Sequence, residues 1–281
     1  YIGLIVIFLS WAGNFAVFAG SQLKEPIMMK HYYEIPLEEG FLLQFHYLAN
    51  RDGKMDIQWA SVPGTDIMFF PSDHDGQIFN HHELKTLSAS LNEHHINELK
   101  KHGGRITQIS ASLANGENKL LEIGEVTAYQ RVAPHMTMLG TGSSNDERGY
   151  YLFQADSDLE ITQMEIPFYE KLKSALFFGL NVNQEQLQRY ADRVEPSEFP
   201  IGKDMTADIF PFSLREGQLF SVNYHYTYKK DDPNQYAFFQ INAKLHGKDV
   251  NGGRFTEDLT IFHQPYLDNH AVRKLVREAK K

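Results

Sequence analysis

The stretch LNEHHINELK at residues 91–100 returns in outline as LDNHAVRKLV at residues 267–276. Each stretch begins with a leucine and an Asx residue and continues with apolar positions at helical spacing, which is the pattern of a capped amphipathic helix. A single offset of 176 residues aligns the two stretches and, upstream of them, a glycine turn and a phenylalanine. We therefore predict a duplicated module with copies at residues 34–103 and 210–281. Chance recurrence of a common helix pattern is the alternative.

Alternating apolar positions predict β-strands around both helices. Phe41, Leu43 and Phe45 occupy every second position, and the Asp52-Gly53 pair that follows is a strong signal for a hairpin turn. Strands joined by short turns, with few helices, indicate antiparallel pairing rather than βαβ units. The predicted fold class is α+β, mostly antiparallel β, with two related meander-type modules that each end in a helix and a helical segment between them.

The expected domain organisation follows from the same patterns. From residue 165 onward the apolar spacing changes to a helical period: Phe168, Leu172, Ala175 and Leu176 predict one helix, and an Asn cap at Asn183 predicts a second that runs to Val194. Residues 196–200 are the best linker candidate. The predicted parts are an apolar N-terminal segment at residues 1–19, a β-rich domain at 24–164 that contains the first copy, a helical connector at 165–199 and the second copy at 200–281.

The N-terminal segment has the composition of an export signal. Residues 1–19 contain no charge and are almost entirely apolar, and Val17-Phe18-Ala19 matches the −3 and −1 positions of a signal-peptidase site. The alternative is an uncleaved membrane anchor, because the run nearly reaches the ~20 residues that a spanning helix needs. We favour a cleaved signal peptide. With either interpretation the protein is expected in the periplasm or secreted, in a bacterial envelope.

Charge and cysteine content restrict the classes of partner. A net charge of −9 argues against nucleic acid, whose phosphates require a basic face. The chain has no cysteine, which fits a bacterial exported protein whose core is stable without disulfides. The expected partner is a protein or a small-molecule ligand, and a membrane only if residues 1–19 are retained.

Histidines are concentrated in one part of the sequence. Six of the thirteen lie within residues 74–102, and His94, Glu98 and His102 recur every fourth residue, on one face of the predicted helix. Imidazole is the commonest ligand of transition metals, so zinc is the cofactor that this region would bind. The candidate metal ligands are His81, His82, His94 and His102.

A solvated helix face is the simpler interpretation of the same histidines. The sequence contains no His-Glu-x-x-His pattern, and a histidine-rich tract without a motif is only a compositional signal. Histidine and glutamate four residues apart also pair on exposed helix surfaces. We favour the solvated face.

Two further histidines form a repeated pair with tyrosine. His46-Tyr47 and His225-Tyr226 each end an apolar run in a predicted strand, where neighbouring side chains point to opposite faces. A half-buried histidine within a sheet is the simpler interpretation. If the two modules pack around a pseudo-two-fold axis, however, His46 and His225 are candidate ligand-binding residues that converge on one cleft.

No motif for a nucleophile, a dinucleotide or a calcium loop is present in a convincing context. The sequence favours an exported binding or assembly protein without catalytic activity. The alternative is a metal-dependent hydrolase that uses residues 81–102, in which zinc activates water and Glu98 or Glu93 acts as the base. The sequence does not decide whether the protein is an enzyme.

Overall fold

The computed structural model describes residues 2–72, 76–143, 147–192, 202–205 and 209–280. The predicted linker at residues 196–200 lies outside these ranges, as does His74. The helices of the described chain are α1 (Ile2–Ser21), α2 (Glu93–Lys101), α3 (Tyr169–Leu172), α4 (Gln184–Ala191) and α5 (Asn269–Ala279).

Strands make up most of the remaining ordered structure. In chain order they are β1 (Ile27–Met28), β2 (His31–Pro36), β3 (Leu42–Asn50), β4 (Ile57–Ser61), β5 (Met68–Pro71), β6 (Gln77–Ile78), β7 (His82–Ser90), β8 (Arg105–Leu113), β9 (Asn118–Tyr129), β10 (Met136–Ser143), β11 (Arg148–Ala155), β12 (Leu159–Glu165), β13 (Leu176–Asn181), β14 (Lys203–Asp204), β15 (Phe212–Leu214), β16 (Leu219–Tyr226), β17 (Phe238–Asp249) and β18 (Arg254–His263).

Contacts divide the chain into two compact units. The first unit contains residues 1–31, 35–128 and 265–281, and the second contains residues 32–34 and 129–264. The final helix α5 therefore belongs to the first unit, whereas the sequence placed it in a separate copy at 200–281. Hydrogen bonds explain the difference: Gln77 Nε2 donates to the carbonyl of Leu267 at 3.0 Å, and the backbone N–H of Asn80 donates to Asn269 Oδ1 at 3.0 Å.

The first unit is built on an antiparallel sheet in which β1, β3, β7, β5, β4, β8 and β9 are neighbours in that order, with β6 added beside β7. Its pairings join apolar positions directly, for example Phe45 opposite Leu87 and Ile109 opposite Leu121. Phe45, Leu87 and Ile109 are fully buried, as is Phe69 of β5. The alternating pattern that predicted these strands thus places one face of the sheet in the core.

The helices α2 and α5 of the first unit each begin at an Asx cap. Asn92 Oδ1 accepts from the backbone N–H of His95 at 2.8 Å, and Asp268 Oδ1 accepts from the backbone N–H of Ala271 at 2.7 Å. These bonds satisfy amides that the first helical turn leaves without partners. The two predicted helix starts are confirmed, while the duplication itself stays a prediction.

The second unit consists of two antiparallel sheets. One contains β18, β17, β12 and β15, and the other contains β10, β11, β16, β13 and β14. Apolar side chains of both sheets form one buried core, with Ile161 and Leu245 from the first sheet and Phe153 and Phe220 from the second. A single core shared by two sheets is the arrangement of a β-sandwich.

The predicted helical connector at 165–199 is only partly helical. A helix through Phe168 and Leu176 was expected, but the structure has the four-residue α3 and then the strand β13. In β13 the side chains of Leu176, Phe178 and Leu180 are buried in the core of the second unit. Burial of every second side chain stabilises an extended backbone. The predicted helix that begins at Asn183 is confirmed as α4. The prediction of a mostly antiparallel β protein is confirmed as well.

Candidate functional site

Helix α1 presents its apolar side chains to the surroundings. Leu4, Trp11 and Phe15 are 69, 76 and 72 % exposed, and none of the described helix is buried against the rest of the protein. In the described chain, α1 is the one helix long and apolar enough to cross a membrane, a property that it shares with signal sequences. Apolar surface of this extent is typical of a segment that meets a membrane or another protein.

The residues that follow α1 are fixed to the first unit. The buried side chain of Asn50 accepts from the backbone N–H of Leu23 at 2.9 Å and donates to the carbonyl of Leu23 at 2.8 Å. Leu23 itself is buried. Only one residue separates this double hydrogen bond from the last residue of α1, so the helix end has a defined position on the first unit.

A groove of about 500 Å³ lies between the end of α1, the turn before β7 and one face of α5. All of these elements belong to the first unit. We call it the basic groove, and its lining residues are Gly20, Ser21, Phe79, Asn80, His81, His82, Asn269, Val272, Arg273, Val276, Arg277 and Lys280.

The cations of the basic groove come from one stripe of α5. Arg273, Arg277 and Lys280 follow one another at i, i+4 and i+7 and therefore share a helix face. All three are exposed, and Lys280 Nζ donates to the carbonyl of Gly20 in α1. None of the described residues that line the groove is an aspartate or a glutamate. The groove is therefore an electropositive feature of a chain whose net charge is −9.

His82 belongs to the wall of the basic groove. Its Nε2 lies 3.0 Å from the carbonyl oxygen of Ser21, so the ring N–H donates a hydrogen bond to the last residue of α1. Burial lowers the pKa of His82, with smaller contributions in the same direction from His81 and Lys280. The neighbouring His81 packs edge-on against Phe18 of α1 with 5.9 Å between ring centroids. Both predicted site residues therefore contact the end of α1.

The other two candidate zinc ligands lie elsewhere. His82 begins β7 and α2 starts just after that strand ends, so about 26 Å of extended backbone separates His82 from the helix. His94 Nε2 lies 2.9 Å from Asp66 Oδ2 with both side chains 60 % exposed, and His102 is exposed. Among the described residues, no three His, Cys, Asp or Glu side chains come together as metal ligands. The structure does not assemble the predicted zinc site.

His46 is part of a buried pair that the sequence did not reveal. Its backbone N–H donates to Nε2 of His31 at 2.8 Å, while Nδ1 of His31 lies 3.3 Å from the carbonyl of Ile123. His31 is completely buried, and burial lowers the pKa of both rings, that of His46 to about 4. Both rings are thus neutral at pH 7. The run HYYEIP at residues 31–36 is entirely buried, and its apolar neighbours were the available signal for His31.

His225 occupies a different environment. The side chain is exposed and stacks on Phe177 of β13, with ring centroids 5.1 Å apart and an interplanar angle of 16°. His46 belongs to the first unit and His225 to the second. Their convergence on one cleft stays a prediction.

A second groove, of about 560 Å³, lies within the second unit between β12, β17 and β18. The imidazole of His246 in this groove contacts Thr256 Oγ1 through Nδ1 and Glu165 Oε2 through Nε2, each at 3.1 Å. The exposed cations Lys248 and Arg254 line the same groove. Here a carboxylate already partners the histidine, so the local positive charge is partly neutralised.

No protein-family model matches the chain, and no curated protein does. Solved structures that it resembles include fibronectin type III-like modules of Clostridium thermocellum CbhA (10 % identity, 85 % of this chain and 94 % of that one, TM-score 0.23). They also include the Enterococcus faecalis MSCRAMM ACE, which binds its ligands by the collagen Hug model (11 % identity, 86 % of this chain and 95 % of that one, TM-score 0.24). A third is the titin domains z1z2 in complex with telethonin (12 % identity, 88 % of this chain and 100 % of that one, TM-score 0.22). At these TM-scores the likeness supports no inference about this chain.

Proposed function

We propose that this protein is an exported binding protein of a bacterial envelope and that the basic groove is its site for an anionic partner. The observation that carries the proposal is the position of the groove. An exposed apolar helix that is suited to export or to membrane insertion ends at a surface lined by Arg273, Arg277 and Lys280.

The composition of α1 supports export. A 20-residue apolar helix without a charge is long enough to cross the hydrocarbon core of a bilayer. None of the apolar window of the described helix is buried in the folded units, although Phe18 near its end contacts His81. The proposal holds whether α1 is cleaved after Ala19 or kept as an anchor, because residues 22–280 remain outside the cytoplasm in both cases.

The chemistry of the groove supports binding rather than catalysis. Arginine guanidinium groups present several donors to a phosphate or carboxylate, and lysine adds a mobile charge. The metal-dependent hydrolase required His82 and His94 to share an ion, and the length of β7 separates them. We therefore place the anionic partner ahead of zinc as the ligand of this region.

The two related modules remain part of the proposal. The similarity of α2 and α5 supports them, since both are Asx-capped amphipathic helices of the first unit. A single-module ancestor would then have supplied both helices.

Protease accessibility in a bacterial host tests the proposed function. The full chain is expressed, and intact cells, spheroplasts and membranes are treated with protease and analysed by peptide mass spectrometry. We expect peptides of β3 to β9 to be cleaved in spheroplasts and protected when the cytoplasm alone is accessible. Deletion of residues 2–19 should return the protein to the cytoplasm. A full chain that stays in the cytoplasm would overturn the proposal.

A further inference from the structure

We infer that the basic groove binds the phosphate headgroups of anionic phospholipids in the membrane that α1 spans. This inference rests on the proposed function and adds two statements to it: α1 is retained, and the anionic partner is the lipid of the same bilayer. It is argued from the geometry at the end of α1, from the length of that helix and from the charges of α5.

The first step is the rigid connection between α1 and the groove. Leu23 is held by two hydrogen bonds to Asn50, and the last two residues of α1 accept hydrogen bonds from Lys280 and His82. The end of the helix is thus attached to the first unit at three places. Wherever the membrane holds the end of α1, the basic groove is held with it.

The second step is the depth at which the helix ends. Twenty helical residues extend about 30 Å, which is the thickness of the hydrocarbon core. A spanning α1 therefore brings Ser21 to the interface between acyl chains and headgroups. Lys24, which follows at once, is exposed, as expected for a residue at headgroup level. The groove opens beside these residues, at the depth of the lipid phosphates.

The third step is the charge that meets those phosphates. Arg273, Arg277 and Lys280 line the groove on one face of α5, and no carboxylate is among the described lining residues. Each lysine or arginine near an anionic bilayer strengthens attraction about fivefold at moderate salt. Val272 and Val276 also line the groove, but both side chains are buried in the first unit, so the exposed part of this wall consists of the cations. The groove therefore offers a matching surface to the phosphate of a lipid headgroup.

The membrane, rather than a free anion, is the favoured source of the phosphate. A chain of net charge −9 repels dissolved anions at long range, and this repulsion opposes their capture. A helix that spans the bilayer instead keeps lipid phosphates permanently beside the groove at high local concentration.

Hydrogen exchange of the full chain in nanodiscs tests the inference. The chain is incorporated into discs of phosphatidylcholine alone and of phosphatidylcholine with phosphatidylglycerol. We expect the amides of α5 to exchange about fivefold more slowly in the anionic discs. The variants Arg273→Glu/Arg277→Glu/Lys280→Glu and Arg273→Gln/Arg277→Gln/Lys280→Gln should lose this protection. Lys54→Glu/Lys229→Glu/Lys230→Glu changes the net charge as much as the first variant at exposed lysines outside the groove and should keep it.

The remaining outcomes separate the inference from the proposed function. Equal exchange of α5 in both kinds of disc, with the chain still incorporated through α1, would overturn the lipid site and leave the exported protein intact. Protection of α5 by inorganic phosphate in detergent, without anionic lipid, would also overturn it in favour of a free-anion site. Failure of α1 to incorporate at all would also overturn the lipid site, because that site requires a spanning helix, whereas the exported protein is tested separately by protease accessibility. The glutamine variant removes the three positive charges without adding negative ones, so it tests the loss of the cations without the charge repulsion that could unfold α5.

Discussion

Asn50 and Leu23 form a closed pair of hydrogen bonds in which one buried amide side chain satisfies both backbone groups of Leu23, the second residue after α1. The two distances are 2.9 Å to the N–H and 2.8 Å to the carbonyl. Asn50 ends β3, so the pair connects the exit of the apolar helix to a central strand of the first unit. The position of α1 on the protein therefore depends on a side chain 27 residues away.

Replacement of Asn50 should loosen this connection. Asn50→Ala leaves a buried N–H and a buried carbonyl of Leu23 without partners, at a cost of about 1–3 kcal/mol. We expect the free energy of unfolding to fall by that amount and the amide of Leu23 to exchange faster. The exposed Asn251 offers a matched control, and Asn251→Ala should change stability by less than ~0.5 kcal/mol. Equal stability of the two variants in urea denaturation would contradict the role of Asn50.

The helix caps give a second prediction. Asn92→Ala and Asp268→Ala each remove the acceptor of one first-turn amide, and each should cost about 1 kcal/mol. Hydrogen exchange should accelerate in the first turn of α2 for the former and of α5 for the latter. Conservative replacement by serine, which also caps helices, should restore most of the protection. Unchanged exchange in both helices would show that the caps contribute nothing.

Buried histidines predict loss of stability in acid. Burial lowers the pKa of His46 and of His263 to about 4 in the folded protein, whereas an unfolded histidine titrates near 6.5. Between pH 6.5 and 4 the unfolded chain therefore binds more protons. The stability contributed by each ring is complete above pH 6.5 and decreases by roughly 1.4 kcal/mol per pH unit as the pH falls toward 4.

Buried glutamates act in the opposite direction, and a variant isolates the histidine effect. Burial raises the pKa of Glu34 and of Glu257, so the stability that these groups contribute to the folded protein decreases as the pH rises. His263 packs against Tyr226 with ring centroids 4.6 Å apart, an environment that accepts an aromatic ring. We expect His263→Phe to flatten the dependence of stability on pH between 6.5 and 4, measured by urea denaturation. His94→Gln, at an exposed position, should leave the slope unchanged; identical slopes for both variants would refute the assignment.

A crowded glycine gives a fourth prediction. Gly124 has φ +98, and a Cβ there would lie 2.5 Å from the carbonyl oxygen of His31. Gly103 also has a positive φ, of +74, but a Cβ there would meet nothing within 4 Å. Gly103→Ala should therefore cost about 1 kcal/mol from the backbone alone. Gly124→Ala should cost roughly 1–3 kcal/mol more because the backbone of His31 must move, and equal melting temperatures would exclude that contact.

The distance between His82 and His94 gives a fifth prediction. Elemental analysis of the full chain, purified without a histidine tag, should find zinc well below one ion per chain. Chelation should leave the melting temperature unchanged. Near-stoichiometric zinc that disappears in His82→Ala/His94→Ala would restore the metal-dependent hydrolase as the leading hypothesis.

The elements predicted correctly are those whose signals lie within a few residues of one another in the sequence. The strand β3 and the helix that starts at Asn92 were predicted because alternation and an Asx cap each act within a few residues. The helix predicted from the spacing of Phe168, Leu172 and Leu176 is only the four-residue α3, and the strand β13, which begins at Leu176, was not predicted. The core of the second unit decides its extended conformation, and that core is not visible in a single local window.

The site was only half predictable for a similar reason. His81 and His82 were singled out by composition, and both line the basic groove. Arg273 and Arg277, which line the same groove, lie about 190 residues away, a separation close to that between Asn80 and Asn269. Pairing across such a separation depends on tertiary contacts, as does the burial of His31 beneath β3. Composition therefore found one wall of the groove, and zinc binding by these histidines stays a prediction.

Native mass spectrometry of the full chain, released from bacterial membranes in mild detergent, tests the central claim most directly. We predict a protein that still carries residues 2–21 and holds anionic phospholipid, and we predict that the lipid is lost in Arg273→Gln/Arg277→Gln/Lys280→Gln. A chain that begins at Gly20 and is recovered from the soluble fraction without phospholipid would contradict it.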